Sequence, residues 1–156
     1  MKKIFVALVA FVALCACGGG EKKSLEYRGL SMGLPFKTFY DSLLARGFVV
    51  DSARSDSDLT NVVMVKEGEK FYLQLAQQRD TLKMLQETYN LSTNDSTRTL
   101  WQQIRDEKEK ELGSWPNMPI HGDDHKVAKF EADGGFITIT LKNTYTPTLF
   151  VLYQTK

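Results

Sequence analysis

Both histidines of the chain fall in one short run, His121-Gly122-Asp123-Asp124-His125. Imidazole nitrogens and carboxylate oxygens are ligands for zinc and other divalent ions. Here His121, Asp123, Asp124 and His125 are crowded into a loop with no second element to set their geometry, so they are weak metal candidates and read first as a solvated polar turn. A second pattern, Gly29-Leu30-Ser31-Met32-Gly33, matches G-x-S-x-G, the elbow that presents a nucleophilic serine for acyl transfer. That elbow belongs to a parallel sheet, whereas the strands of this chain are spaced for hairpins, which only antiparallel strands allow. Ser31 is therefore expected to be a turn residue. Ser55-Asp56-Ser57-Asp58 lacks the glycine and closing glutamate of a calcium loop and reads as a turn. Gly18-Gly19-Gly20 has no strand before it and no helix after it, unlike a phosphate-cradling loop. The expectation is a protein that is not an enzyme and needs no cofactor.

The cysteines carry a sharper signal. Cys15 and Cys17 stand one residue apart, so a disulfide between them would close a strained ring, and two thiols are too few to hold a metal. Before them, Met1-Lys2-Lys3 is basic and Ile4 to Ala16 is free of charge. That run is shorter than the roughly 20 apolar residues a spanning helix needs and fits the core of an export signal. Leu14-Cys15-Ala16-Cys17 resembles the bacterial lipobox, with an aliphatic residue three before the cysteine and a small one just before it. Cys15 is an unusual residue at its place in that pattern. The resemblance implies cleavage after residue 16 and fatty acylation of Cys17, palmitate included, as a membrane anchor in the cell envelope. One acyl chain holds only marginally, whereas two or more anchor stably. Gly18, not Asp, follows the cysteine. If sorting resembles the enterobacterial kind, that implies the outer membrane. The expected organisation is a lipoprotein signal peptide over 1–16, a lipidated cysteine and flexible tether over 17–25, and a single domain over 26–156.

About 140 residues remain after such a cleavage, one domain of ordinary size that buries enough surface to need no staples. Its only cysteine would carry lipid, so no disulfide is available to it. Losing Lys2 and Lys3 takes the formal charge from +1 to −1, which leaves no electrostatic footprint for nucleic acid.

The elements follow from periodicity. Glu26 to Leu30 is expected as an opening strand. Pro35 opens a helix in which Phe36, Phe39, Tyr40, Leu43 and Leu44 recur at helical spacing, and Gly47 stops it. After a short strand at Phe48-Val49-Val50, Leu59–Lys66 and Lys70–Gln77 form a hairpin around Glu67-Gly68-Glu69. Arg79-Asp80 turns the chain into a further strand, Leu82 to Tyr89. A second helix spans about Asp95 to Leu112 and ends at Gly113. Its run Asp106–Glu111 is a solvated face with pairs such as Asp106–Lys110. After the His/Asp loop, strands are expected at Val127–Ala132, Phe136–Lys142 and Leu149–Gln154. The fold class is α+β: two helix-then-antiparallel-strands halves, 27–90 and 91–156, forming one antiparallel sheet with the helices packed on one face. Strand and turn aromatics Tyr72, Tyr89, Tyr145, Phe150 and Tyr153 are candidates for a partner-binding patch on the face the helices leave open.

Gly33-Leu34-Pro35, Phe39, Leu43 and Gly47-Phe48 resemble the opening of small Bacteroidetes-type envelope lipoproteins, and Trp101, Leu112-Gly113, Pro116, Gly135 to Ile139 and Tyr153 continue the likeness. The element order is similar to the β-lactamase-inhibitor-protein-like fold and to the helix–strand modules of outer-membrane assembly lipoproteins. The resemblance implies non-catalytic protein binding. The expected partners are the bilayer, through acylated Cys17, and an envelope protein. An inhibitor or assembly factor for an envelope enzyme or outer-membrane machine is the first alternative, and a metal-dependent enzyme using His121, Asp123, Asp124 and His125 is the weaker one.

Overall fold

The computed structural model describes residues 22–156; the expectations placed on 1–21, Cys17 and the lipobox among them, lie outside the described residues. Two minimal strands come first, β1 (Glu26–Tyr27) and β2 (Leu30–Ser31), followed by α1 (Phe36–Ala45). Four strands then run in succession: β3 (Val49–Val50), β4 (Asn61–Val65), β5 (Phe71–Gln78) and β6 (Thr81–Asn90). The pattern repeats with α2 (Asn94–Leu112), β7 (Asn117–His121), β8 (His125–Ala132), β9 (Gly135–Lys142) and β10 (Thr148–Thr155). The class is mixed α+β, with one large antiparallel sheet of eight strands and a separate pair of two.

Strand order in the large sheet is β3-β4-β5-β6-β10-β9-β8-β7. Each half is a meander that starts at its own outer edge and ends in the middle, where β6 and β10 pair over seven residues from Thr148↔Asn90 to Gln154↔Met84. The halves are therefore joined by backbone hydrogen bonds in one continuous ladder, with no linker or domain interface between them.

Period-two patterning sets which residues enter the core. Leu73, Leu85, Phe130, Ile137, Ile139, Leu149, Val151 and Tyr153 are buried from alternate positions of their strands. Phe36, Phe39 and Leu43 of α1, and Trp101 and Ile104 of α2, belong to the same buried cluster. Helix α2 lies against β8, β9 and β10, and its Trp101 indole N–H donates to the Ile139 carbonyl at 3.4 Å.

The helix ends are satisfied differently. α2 has a local cap: Thr93 accepts from the Ser96 N–H, and Gly113 closes the helix at φ 66. α1 has none, because Pro35 offers no side-chain acceptor. Its first free donors are met from another segment: Asp80 accepts the Phe36 N–H on its carbonyl at 2.8 Å and the Lys37 N–H on its carboxylate at 3.1 Å. Asp80 and Arg79 form the β5–β6 turn with positive φ of 56 and 53, a tight hairpin geometry whose twist suits the strands.

Several expectations change in detail. The opening strand is split by a turn at Arg28-Gly29, both at positive φ. The His/Asp loop is preceded by a further strand, β7, which sequence reading missed because Pro119 and exposed polar residues mark it as loop; it is an edge strand, where proline is tolerated. The Asp106–Lys110 pair does not form: Asp106 is bonded by Gln102 and Arg105, while Lys108 reaches Glu111. The end of the expected tether is also part of the domain. Leu25 is buried, its N–H donates to the Asp133 carbonyl, and the Asp133 N–H donates to Lys23, each at 2.9 Å. The physical reason is Gly135: a Cβ there would lie 2.7 Å from the Leu25 side chain, so only glycine leaves Leu25 its seat.

Candidate functional site

The sheet face opposite the buried residues carries a row of apolar and hydroxyl side chains that crosses the whole sheet. Tyr72 pairs with Thr88, Thr88 with Phe150, Phe150 with Thr140, Thr140 with Val127, and Val127 with Ile120. On the other side Val65, on the same face by alternation, pairs with Val49 at the edge. Seven inter-strand spacings of about 4.8 Å across eight strands make this row roughly 34 Å long. A second row beside it runs Val63, Gln74, Gln86, Leu152, Thr138. Thr88 is buried even though it faces away from the core, because Tyr72 and Phe150 flank it about 10 Å apart. Gln86 donates to the Thr88 hydroxyl at 3.1 Å.

Charged groups border this face. Arg54 stacks on the Tyr72 ring at 4.5 Å and is held by Asp51 at 2.8 Å. The hydrogen bond from Arg54 keeps the Asp51 carboxyl below its ordinary value. Near the opposite end Lys129 lies 3.9 Å over the Phe136 ring.

Of the aromatic candidates, the structure brings three to this side. Tyr72 and Phe150 share the row, and Tyr145, 96% exposed, lines a cleft of about 220 Å³ with Phe150. The other two are corrected. Tyr89 and Tyr153 point to the buried face, Tyr153 edge-on to Tyr27 and Tyr89 against Phe71. Parity decides this: Leu149, Val151 and Tyr153 share one phase of β10, and Phe150 has the other. Leu152, Val63, Val127 and Thr138 share the face without being aromatic, so the aromatic pattern does not mark them. Their signal lies in the alternation: the second phase of β9 is Phe136, Thr138 and Thr140 before Lys142, and that of β10 is Thr148, Phe150, Leu152 and Gln154, so the open face of both strands is largely uncharged.

The chemically suggestive runs are occupied by structural bonds. His121 ends β7 and His125 begins β8, so the run is a hairpin turn, closed by the Gly122 N–H on the His125 carbonyl. Asp124 accepts from Arg98 at 2.7 Å and from Asn143 at 3.2 Å, which ties the turn to the start of α2. Among the described residues no group of three or more His, Cys, Asp or Glu is arranged to hold a metal ion. The Ser31 hydroxyl accepts the Gly33 N–H at 3.2 Å, the bond of a turn residue. The Ser55 hydroxyl accepts from the Val63 N–H, and Asp58 accepts from the Thr60 N–H, both at 2.9 Å.

One polar cluster lies inside the core. Glu87 is buried, and the phenols of Tyr27 and Tyr89 donate to its two oxygens at 2.9 Å each. The Arg28 guanidinium stands 3.7 Å from it and 2.7 Å from Glu69 at the surface. Burial pushes the Glu87 carboxyl up from its ordinary value, against the two phenol bonds and the charge of Arg28. Burial and the neighbouring Glu87 likewise raise both phenols, so they stay donors throughout the physiological range. The sequence carried a signal here too, since Glu87 occupies the same phase of β6 as Leu85 and Tyr89.

Comparison of the chain with family profiles, with characterised proteins and with solved structures finds no match. No helix of the described residues is long and apolar enough to cross a membrane.

Proposed function

We propose that the chain is a non-catalytic, lipid-anchored lipoprotein of the bacterial cell envelope that binds another protein across one face of its sheet. In this reading the acyl chains on Cys17 hold it at the outer membrane, and α1 and α2 cover the same face, from which Leu73, Val151 and Ile139 project. The opposite face is the docking platform. The observation that carries the reading is the transverse row from Val49 through Tyr72 and Phe150 to Ile120, with Val49 62% exposed and Ile120 39% exposed. A row of that length matches the footprint of a folded partner, about 800 Å² on each side, better than that of a small ligand. Aromatic and aliphatic anchors interleaved with threonine and glutamine offer apolar contact together with short hydrogen-bonding groups, and the charged rim at Arg54 and Lys129 fits the usual anatomy of an interface.

The test is in-cell photo-crosslinking from Thr138, central on the open face, against the same probe at Glu109 on α2. The expected result is a discrete crosslinked protein from Thr138 alone. Equal yields from both positions, or none from Thr138, would remove the docking face. Mass spectrometry of the native chain tests the anchor separately, by the presence of acyl mass on Cys17.

A further inference from the structure

The molecule has two tryptophans in opposite environments: Trp101 is buried and Trp115 is 82% exposed. Trp115 stands on the short loop between the αL cap Gly113 and Pro116, ahead of β7. A residue before proline is restricted to extended conformations, so the indole is presented on a stiff support. It lines a cleft of about 370 Å³ together with Lys22, Lys23 and Lys129.

Lys22 and Lys23 are also where the described chain begins. That entrance is fixed to the domain: Lys23 and Leu25 bracket Asp133 with backbone hydrogen bonds of 2.9 Å, Leu25 is buried, and Lys22 pairs with Glu131. Five residues of chain from Cys17 to Lys22 reach no further than about 18 Å. An anchor on Cys17 thus brings the Trp115 end of the domain to the bilayer and leaves the other end away from it. Tryptophan is enriched at the membrane–water boundary, where its apolar ring and N–H are both satisfied, and lysine ammoniums sit at headgroup level beside it.

We infer that Trp115 is a membrane foot: its indole inserts at the headgroup level of the bilayer to which Cys17 is tethered, and so sets the orientation in which the domain stands. This rests on the anchored reading given above.

The experiment uses the full acylated chain in vesicles of phosphatidylethanolamine and phosphatidylglycerol, with a fraction of the lipid brominated near the top of its acyl chains. Trp115 emission is taken as the difference between the wild type and Trp115→Phe, since Trp101 stays buried in both. The expected result is that brominated lipid removes most of the Trp115 emission and that aqueous iodide quenches it poorly. A chain that floats with the vesicles while Trp115 stays open to iodide and untouched by bromine overturns the foot and leaves the anchor standing. A chain that carries no acyl mass and does not float overturns both.

Discussion

Replacing Glu87 probes the one buried carboxyl among the described residues. Burial raises its proton affinity in the folded state, over the opposition of Tyr27, Tyr89 and Arg28. A carboxyl whose folded value lies above its unfolded value binds more proton when folded, so stability from it is complete below the ordinary carboxylate range. That stability is lost as pH rises through the raised value. Each pH unit between the two values corresponds to about 1.4 kcal/mol. Asp51, Glu69 and Glu131 act in the opposite sense: Arg54, Arg28 and Lys22 respectively hold them below their ordinary values, so their contribution is lost as pH falls. The clean quantity is therefore the difference in unfolding free energy between the wild type and Glu87→Gln, whose amide stays neutral. It is measured by urea unfolding followed with far-ultraviolet circular dichroism across the acidic to neutral range. The difference should be flat at acidic pH and then move in favour of Glu87→Gln as pH rises. Glu87→Ala is a different perturbation. It leaves two buried phenols without an acceptor, at about 1–3 kcal/mol each, so a loss of about 2–6 kcal/mol is expected. A pH-independent difference, or one that favours the wild type as pH rises, would refute the direction of the shift. A Glu87→Ala cost below about 1 kcal/mol would refute the account of the phenols.

Three further outcomes follow from the geometry. In Gly135→Ala the new Cβ would stand 2.0 Å from the Gln154 carbonyl oxygen, so β9, β10 or Leu25 must shift; a loss of about 1–3 kcal/mol is expected by thermal unfolding, and an unchanged midpoint would count against the packing at this turn. Asp80→Ala removes the carboxylate that accepts from Lys37 at the start of α1 and should cost about 1 kcal/mol, read as a fall in the urea midpoint without a change in slope. Leu152→Glu places a charge in the middle of the open face; the domain should keep its circular dichroism spectrum and its melting temperature within a few degrees, while crosslinking from Thr138 disappears. Retained crosslinking from Thr138 in that variant would show that Leu152 contributes nothing to the contact.

The parts of the fold that were legible in the sequence are those set by local rules. Helix α2 was readable to within a residue because its apolar spacing, polar start and closing glycine agree. The strands from β4 to β6 and from β8 to β10 were readable because alternation and turn residues coincide. Strand β7 was not, because an edge strand buries almost nothing and tolerates a proline, so it carries no periodic signal. The candidate site was half legible. That Tyr72 and Phe150 belong to strands was plain, but parity puts Tyr153 and Phe150 on opposite faces. Which face is buried is decided by the tertiary packing and not by the alternation.

The sequence by itself determined the two helices, the long strands from β4 to β6 and from β8 to β10, and the double pattern of helix followed by antiparallel strands. These depend on neighbours within a few residues: periodicity, capping and turn chemistry. Tertiary structure alone decided that the last strands of the two halves pair, which merges two meanders into one eight-stranded sheet. It also decided that Asp80 caps a helix from a distant turn, that Leu25 is seated over Gly135, and that residues from both halves line up in one transverse row. The physical reason is that a hydrogen-bonded ladder or a buried contact joins segments far apart in the chain. No local pattern records the register at which they meet.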